Sequence, residues 1–422
     1  MLVIKNSRVI DPAVSRDEVT NVWIADGKIL GFGPHPEWEA REEIDANGCI
    51  TAPGLVDVHV HFRDPGFTYK EDLETGSRAA AAGGFTTVVC MANTSPIVDQ
   101  PEVLQDILKR AEGLPVHVMQ ASAVSRRFQG KELVDFSQMA QCGACGFTDD
   151  GIPLMDAGLI KRAMEEAARL DMPISLHEED PALNEVNGIH KGKISDQMGI
   201  GGAPAISEEV MVARDIMLAL ETGAKVDIQH ISSGRSVDLV RYGKQLGARV
   251  CAEATPHHFT LTQEDVLRYG TLCKMNPPVR TSWDRDKIIE GLADGTIDLI
   301  ATDHAPHSRE EKEREFTKAP SGIIGLETSL ALGITRLVNT GKLSMMELLK
   351  KMTVNPAKLY QFDCGTLKEG SQADLVIFRP DEEWTVETFA SKADNSPFVG
   401  WKLCGKVHYT ICDGKIVYRD KA

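Results

Sequence analysis

The chain has 422 residues, 42% of them hydrophobic and 26% charged, with a formal net charge of −16. That length excludes a small scaffold held by metal or disulfides, and the composition is that of a globular protein with room for one large domain and a smaller one. The acidic balance and the absence of a long basic run exclude nucleic acid as a natural partner, because phosphate contacts need clustered Lys and Arg.

The N-terminal Met1-Leu2-Val3-Ile4-Lys5-Asn6 is too short an apolar run for a signal peptide, and no apolar stretch is long enough to span a bilayer. Residues 1–52 are strand-like, with turn signals at Asp26-Gly27 and Asn47-Gly48. From about residue 53 apolar runs alternate with helical patterns. Strands are predicted at Leu55–His61, Thr86–Met91, Val116–Gln120, Ala144–Thr148, Ile174–His177, Val226–His230, Arg249–Glu253 and Ile297–Asp303. Between them, apolar stripes of near-3.6 period predict helices over Glu71–Ala82, Glu102–Glu112, Ala157–Leu170, Glu208–Thr222 and Ser236–Leu246. Ser207 reads as an N-cap ahead of an acidic first turn. Eight strands alternating with helices predict an α/β fold, a (β/α)8 TIM barrel. The polar stretch Ser308–Lys318 reads as an exposed, mobile loop. Residues 365–422 return to strand character, with a turn at Asp413-Gly414, so both ends are expected to build one small composite β-sandwich domain. The expected organisation is 1–52 and 365–422 for the two parts of that β-domain and 53–364 for the barrel.

The nine cysteines are odd in number and several sit inside apolar runs, which reads as buried, reduced thiols in a cytoplasmic protein. Cys142-Gly143-Ala144-Cys145 has the form C-x-x-C but lacks a second pair to complete a zinc knuckle.

The ionisable residues cluster at one end of the predicted strands. In Val58-His59-Val60-His61 the two imidazoles project the same way, because residues i and i+2 of a strand share a face. Asp149-Asp150 follow the fourth strand, and His177, His230 and Asp303 close the fifth, sixth and eighth. Any one of these alone is better read as a packed or capping residue. Together, at the strand ends where barrel sites sit, they predict a metal centre. Nitrogen and carboxylate oxygen without thiolate suit zinc, and manganese or cobalt less specifically. Such a centre activates water for hydrolysis.

These residues also carry a family resemblance. His59-Val60-His61-Phe62-Arg63-Asp64-Pro65-Gly66 with Tyr69-Lys70-Glu71-Asp72 resembles the signature of cyclic amidohydrolases, specifically dihydroorotases. Met91-Ala92-Asn93-Thr94, Gly146-Phe147-Thr148-Asp149-Asp150-Gly151, Ala301-Thr302-Asp303-His304-Ala305-Pro306-His307 and Ser321-Gly322-Ile323-Ile324-Gly325-Leu326-Glu327-Thr328 extend it over essentially the whole chain. The set is most similar to type I bacterial dihydroorotases. The resemblance implies His59 and His61 on a first zinc ion, His177 and His230 on a second, Asp150 as the bridge, and Asp303 as a ligand that also moves protons. Related hydantoinases and allantoinases use a carboxylated lysine as the bridge, and residues 146–151 contain no lysine, so one or two ions per subunit stays open. Asp149 is the alternative bridge. The implied substrate contacts are His61, Arg63, Asn93, Asn276, His307, Ser321 and Gly322. Arg63 suits a carboxylate and the two Asn suit ring or carboxylate edges. The unadorned readings are a salt bridge from Arg63 to Asp64 or Asp72, a turn at Asn93 and a pre-proline turn at Asn276. His257, His258 and His304 read as supporting residues.

The implied reaction is the reversible, zinc-dependent closure of N-carbamoyl-L-aspartate to dihydroorotate in pyrimidine biosynthesis. The rivals are an allantoinase or hydantoinase, and a non-catalytic scaffold for aspartate transcarbamoylase, which would be expected to lose ligands that this chain keeps. A homodimer and an aspartate transcarbamoylase partner are both compatible with the resemblance.

Overall fold

The apolar run after Gly54 becomes the strand Leu55–Val60, buried along its whole length, as a strand covered on both faces must be. In the computed structural model, which describes residues 1–420, it pairs in parallel with Phe85–Cys90, and that strand with His117–Gln120. A second parallel sheet runs Pro173–Leu176, Lys225–Ile228, Val250–Ala254, Leu299–Ile300. The helices Leu73–Ala82, Pro101–Ala111, Ala157–Arg169, Ile206–Thr222 and Gly234–Gln245 lie between strands, within a residue or two of the predicted bounds, and Ser282–Asp294 adds a further one.

The predicted strand at Ala144–Thr148 does not form a continuous ladder. Phe147 alone bridges Ser122 on one side and Ile174 on the other. The segment still hydrogen-bonds both neighbours, Thr148 N–H to the Ser122 carbonyl at 2.8 Å and Ser175 N–H to the Phe147 carbonyl at 2.9 Å, and Pro173 has no N–H with which to extend the pairing. At the other edge His304 bridges Val60, and the His61 N–H donates to the His304 carbonyl at 2.9 Å. The eighth strand is shorter than predicted, Leu299–Ile300, and Asp303, at φ 48°, lies outside extended backbone.

Two local expectations are corrected. Ser207 lies inside the helix that starts at Ile206, and its hydroxyl donates to the Pro204 carbonyl rather than capping. The stretch 308–318 is not a free loop. Ser308 and Glu311 form a reciprocal cap on the short helix Arg309–Lys312, and the buried Lys312 ammonium donates to the carbonyls of Pro320 and Gly322, both at 3.0 Å.

The two ends of the chain do share one sheet, ordered Lys415–Arg419, Lys402–Cys412, Leu375–Thr385, Ile50–Pro53, Leu2–Asp11, Arg16–Ala25, Lys28–Phe32, with Glu42–Asp45 pairing Leu2–Asp11. Asp26-Gly27 and Asp413-Gly414 make its tight hairpins, with positive φ at both central residues of each (51° and 75°, 52° and 71°). Alternate residues of Leu375–Thr385 serve two cores. Val376 and Phe378 join the large core of the parallel strands and helices, and Leu375 and Ile377 join the sheet's own. The connection 386–401 then leaves this sheet and returns to the loops around the candidate site.

Candidate metal centre

His59 is the penultimate residue of Leu55–Val60 and His61 follows its end, so both imidazoles leave the strand in one direction. His177, His230 and Asp303 follow the ends of three strands of the second sheet, and Asp150 follows the bridge at Phe147. The structure brings all six together in a buried cluster. Asp150 is its hub. One carboxylate oxygen lies 3.3 Å from His59 Nε2, 3.6 Å from His177 Nδ1 and 3.5 Å from His230 Nε2, and the other lies 3.4 Å from His61 Nε2. Asp303 Oδ1 stands 2.9 Å from His61 Nε2 and 3.6 Å from His59 Nε2. His177 Nδ1 and His230 Nε2 are 3.0 Å apart.

The donor atoms fit a cation rather than one another. His59 Nε2 and Asp150 Oδ1 are fully buried and neither makes a hydrogen bond, although an unmet buried polar atom costs about 1–3 kcal/mol. Burial disfavours charge on both groups, yet the neighbouring carboxylates of Asp150, Glu253 and Asp303 hold a proton on His59 well above its usual range. Burial is likewise outweighed at Asp150, where His59, His177 and His230 hold the carboxyl well below the usual carboxylate range. A field that favours positive charge at that point also favours a metal ion. Backbone strain concentrates here too. Arg63, His230 and Asp303 all have positive φ (61°, 33° and 48°), which side chains of this size adopt at a cost of about 1–3 kcal/mol each.

The choice between the two aspartates is decided by hydrogen bonding. The Asp149 carboxylate is occupied by the N–H groups of Val124 and Ser125 and by the Ser125 hydroxyl, and it points away from the imidazoles. Asp150 takes the hub.

The substrate-side residues line one cavity of about 220 Å³ beside the cluster, with Arg63, Asn93, Asn276, His307 and Ser321 in its wall. Arg63 does not form the salt bridge weighed from sequence. Asp64 is taken by Arg110 and Asp72 by Lys392, and Arg63 Nε donates to the Pro306 carbonyl at 3.2 Å, with its Nη2 3.4 Å from His307 Nε2. Its guanidinium faces the cavity with no carboxylate bound to it. Asn93 accepts from His61 Nδ1 at 3.0 Å and reaches Asp150, so it is more than a turn residue. Asn276 donates to Glu179 at 2.9 Å and leaves its buried Oδ1 without a partner. His307 donates from Nε2 to the Ser321 carbonyl at 2.9 Å, and its Nδ1 accepts from the Lys70 ammonium at 3.2 Å. Burial, then Arg63, Lys70 and Lys312, keep it neutral. The Gly322 N–H donates to the Lys274 carbonyl, so Gly322 supports the wall.

Sequence reasoning missed three supporting residues. Glu253 accepts from His59 Nδ1 at 3.0 Å and fixes that ring's free nitrogen toward Asp150. A carboxylate inside the apolar strand Val250–Ala254 is the signal that could have found it. Lys70 braces His307. Asn395 accepts from the His307 N–H and donates to the carbonyls of Ala305 and Gly322, each at 3.0 Å, from the connection 386–401, and nothing in its sequence neighbourhood marks it. His258 is held between Thr255 and the Pro277 carbonyl, and His304 between Glu71 and the Gly325 N–H, so both support loops as expected. His257 is buried, without a hydrogen bond at Nε2.

The sequence profile described as the amidohydrolase family matches residues 50–417. A dihydroorotase of Clostridioides difficile (strain 630) is 62% identical over 419 residues, covering 99% of this chain and 100% of that protein. A dihydroorotase of Lactococcus lactis subsp. lactis (strain IL1403) is 53% identical, covering 100% of both chains. Among solved structures, the L-hydantoinase of Arthrobacter aurescens superposes with a TM-score of 0.89 at 28% identity, over 99% of this chain and 96% of that one. The dihydropyrimidinase of Brevibacillus agri NCHU1002, at 23% identity and a TM-score of 0.87 over 99% and 95%, shares the fold.

Proposed function

The chain belongs to the amidohydrolase family, among its dihydroorotases, and from that premise we propose that it closes N-carbamoyl-L-aspartate to dihydroorotate and reopens the ring, a step of pyrimidine biosynthesis. The observation that carries this reading is the gathering of His59, His61, His177, His230 and Asp303 around Asp150, with the Arg63 guanidinium free in the adjoining cavity. The two parallel sheets, linked through the bridges at Phe147 and His304, are read as one closed (β/α)8 barrel over 53–364, with 1–52 and 365–422 forming the β-domain, of which 421–422 lie outside the described residues.

Zinc is the proposed ion: His59, His61, His177, His230 and Asp303 would hold one or two ions, and Asp150, in reach of all four imidazoles, would be shared between them if two bind. The bound cation supplies Lewis acidity toward the amide carbonyl and toward water at neutral pH. The protein's own groups do the rest. Arg63 holds the substrate carboxylate, for which the planar guanidinium fork is suited, and the free Oδ1 of Asn276 accepts from a ring N–H. Asn93 and His61 border the ring, and neutral His307 with the Ser321-Gly322 backbone closes the far wall. In ring opening Asp303 accepts a proton from the attacking water at a carboxylate oxygen and delivers it to the ring nitrogen as the C–N bond breaks; closure runs the same transfer backward. The nine free thiols and the lack, among the described residues, of any helix long and apolar enough to cross a membrane support a cytoplasmic setting.

The test is ultraviolet absorbance of dihydroorotate mixed with purified, zinc-loaded protein, with and without chelator. Chelator-sensitive loss of the substrate signal is expected. Turnover that survives complete metal removal overturns the metal-dependent reading, and turnover of allantoin or hydantoins in place of dihydroorotate overturns the substrate.

A further inference from the structure

A second cluster of ligating side chains lies on the seam between the parallel strands and the small sheet. His117 is the first residue of His117–Gln120, so it stands at the opposite end of the strands from the centre described above. Its Nε2 is 3.2 Å from Asp374 Oδ2 and 3.5 Å from Asp413 Oδ1. Cys412 ends the strand Lys402–Cys412 and is buried. One donor atom from each of His117, Asp374 and Cys412 lies within 4.8 Å of the others.

The cluster is held by backbone contacts and by one side-chain hydrogen bond of its own, from His117 Nε2 to Asp374 Oδ2. Asp374 sits just before Leu375–Thr385, its carbonyl accepts from the Gly54 N–H at 2.9 Å, and its second carboxylate oxygen accepts from the Asp413 N–H at 2.8 Å. Cys412 and Asp413 enter a tight hairpin whose φ values are fixed. The His117 side chain is 38% exposed and faces a cleft that Leu114, Pro115 and Lys415 also line, which gives an ion a route in and leaves one face open to solvent.

Thiol, imidazole and carboxylate together select an ion of borderline softness. Hard ions such as magnesium and calcium take oxygen ligands and leave a thiolate alone, whereas zinc and cobalt(II) accept all three. Around a tetrahedral zinc with bonds of about 2.0–2.3 Å, neighbouring ligand atoms stand about 3.3–3.7 Å apart. The 3.2 Å between His117 Nε2 and Asp374 Oδ2, a hydrogen bond, is just short of that spacing, and Asp413 Oδ1 at 3.5 Å falls within it.

We infer that His117, Asp374 and Cys412, with Asp413 alongside, form a second site for a divalent transition ion of the zinc type, which ties the parallel strands to the small sheet. On binding, the Cys412 S–H bond breaks, its proton goes to solvent through the open face, and the sulfur–metal bond forms. Asp413 Oδ1 also accepts from Gln372 and stands beside the three-ligand set.

The sulfur makes the two sites separable, because the cluster around Asp150 contains no thiol. The experiment is titration of the metal-stripped full chain with cobalt(II), read by absorption and by bound cobalt per chain, in wild type, Cys412→Ser and His117→Gln. The expected result is a sulfur-to-cobalt charge-transfer band in the near ultraviolet in wild type, absent in both variants, with one fewer cobalt bound per chain in each. His117 is partly exposed, so the second variant reads the site even where the buried serine disturbs folding. Equal cobalt uptake in all three proteins, or a band that persists in Cys412→Ser and therefore belongs to another thiol, overturns the proposal. Neither readout depends on ring opening, so the outcome is independent of the function proposed above.

Discussion

Asp149 and Asp150 are adjacent and chemically identical, and their surroundings alone separate them. Asp149 is saturated by two backbone N–H groups and a hydroxyl, whereas the Asp150 carboxylate meets four imidazoles and the Asn93 amide. Asp303 differs again. It contacts His61 and His59 at one oxygen, which leaves it able to carry a proton between water and substrate. Replacing Asp303 with Asn keeps the shape and removes the basic oxygen. Turnover is expected to fall by about 10²–10⁴-fold, the range of general acid–base contributions, with the circular dichroism spectrum unchanged. A variant that turns over normally takes the proton-carrying role away from Asp303.

At the scale of elements, the stretch 308–318 shows how a polar sequence becomes a fixed wall. Lys312 is buried beneath it among carbonyls, and burial, with Lys274 nearby, pushes its ammonium down to about 7. The unfolded lysine keeps its proton to about 10.4. Between those values the unfolded chain binds more protons than the folded one, so this residue's contribution to stability rises with pH from about 7 and levels off above the unfolded value. Wild type is therefore expected to gain stability relative to Lys312→Met across that window in denaturant titrations. A difference that stays flat from pH 7 to 10 would mean the buried amine keeps its proton in the folded state.

At the scale of the whole molecule, the small sheet is part of the site's support. Its strand Leu375–Thr385 shares alternate residues between two cores, and the connection that follows supplies Asn395 to the loops at 305–307 and 322. The seam is tight at Gly84, where φ is +89° and a Cβ would stand 2.7 Å from a Val376 methyl. Gly84→Ala is expected to cost about 1–3 kcal/mol and to lower the calorimetric Tm, while metal content per folded chain stays constant. An unchanged Tm would mean that the two sheets can separate locally at no cost.

His59, His61, His177, His230 and Asp303 were legible in the sequence, and the sixth residue to within the pair Asp149-Asp150, because strand periodicity fixes which side chains emerge together and strand ends fix where they emerge. The alternation of strands and helices was legible for the same reason, and so were the Asp-Gly hairpins, whose backbone demands those residues. The short pairing at 144–148 was not, since it depends on Pro173, which has no N–H, arriving beside it. The locked stretch 308–318 was not, since its composition is that of a solvated loop and only Lys312's carbonyl partners fix it. Glu253 left a trace as a charge inside an apolar strand; Asn395 left none. Local periodicity and ligand chemistry were determined by the sequence alone. Which aspartate faces the imidazoles, which cation stays free for substrate, and which distant residue braces the wall were decided by tertiary packing, because hydrogen-bond partners far apart in the chain compete for the same groups only once it has folded.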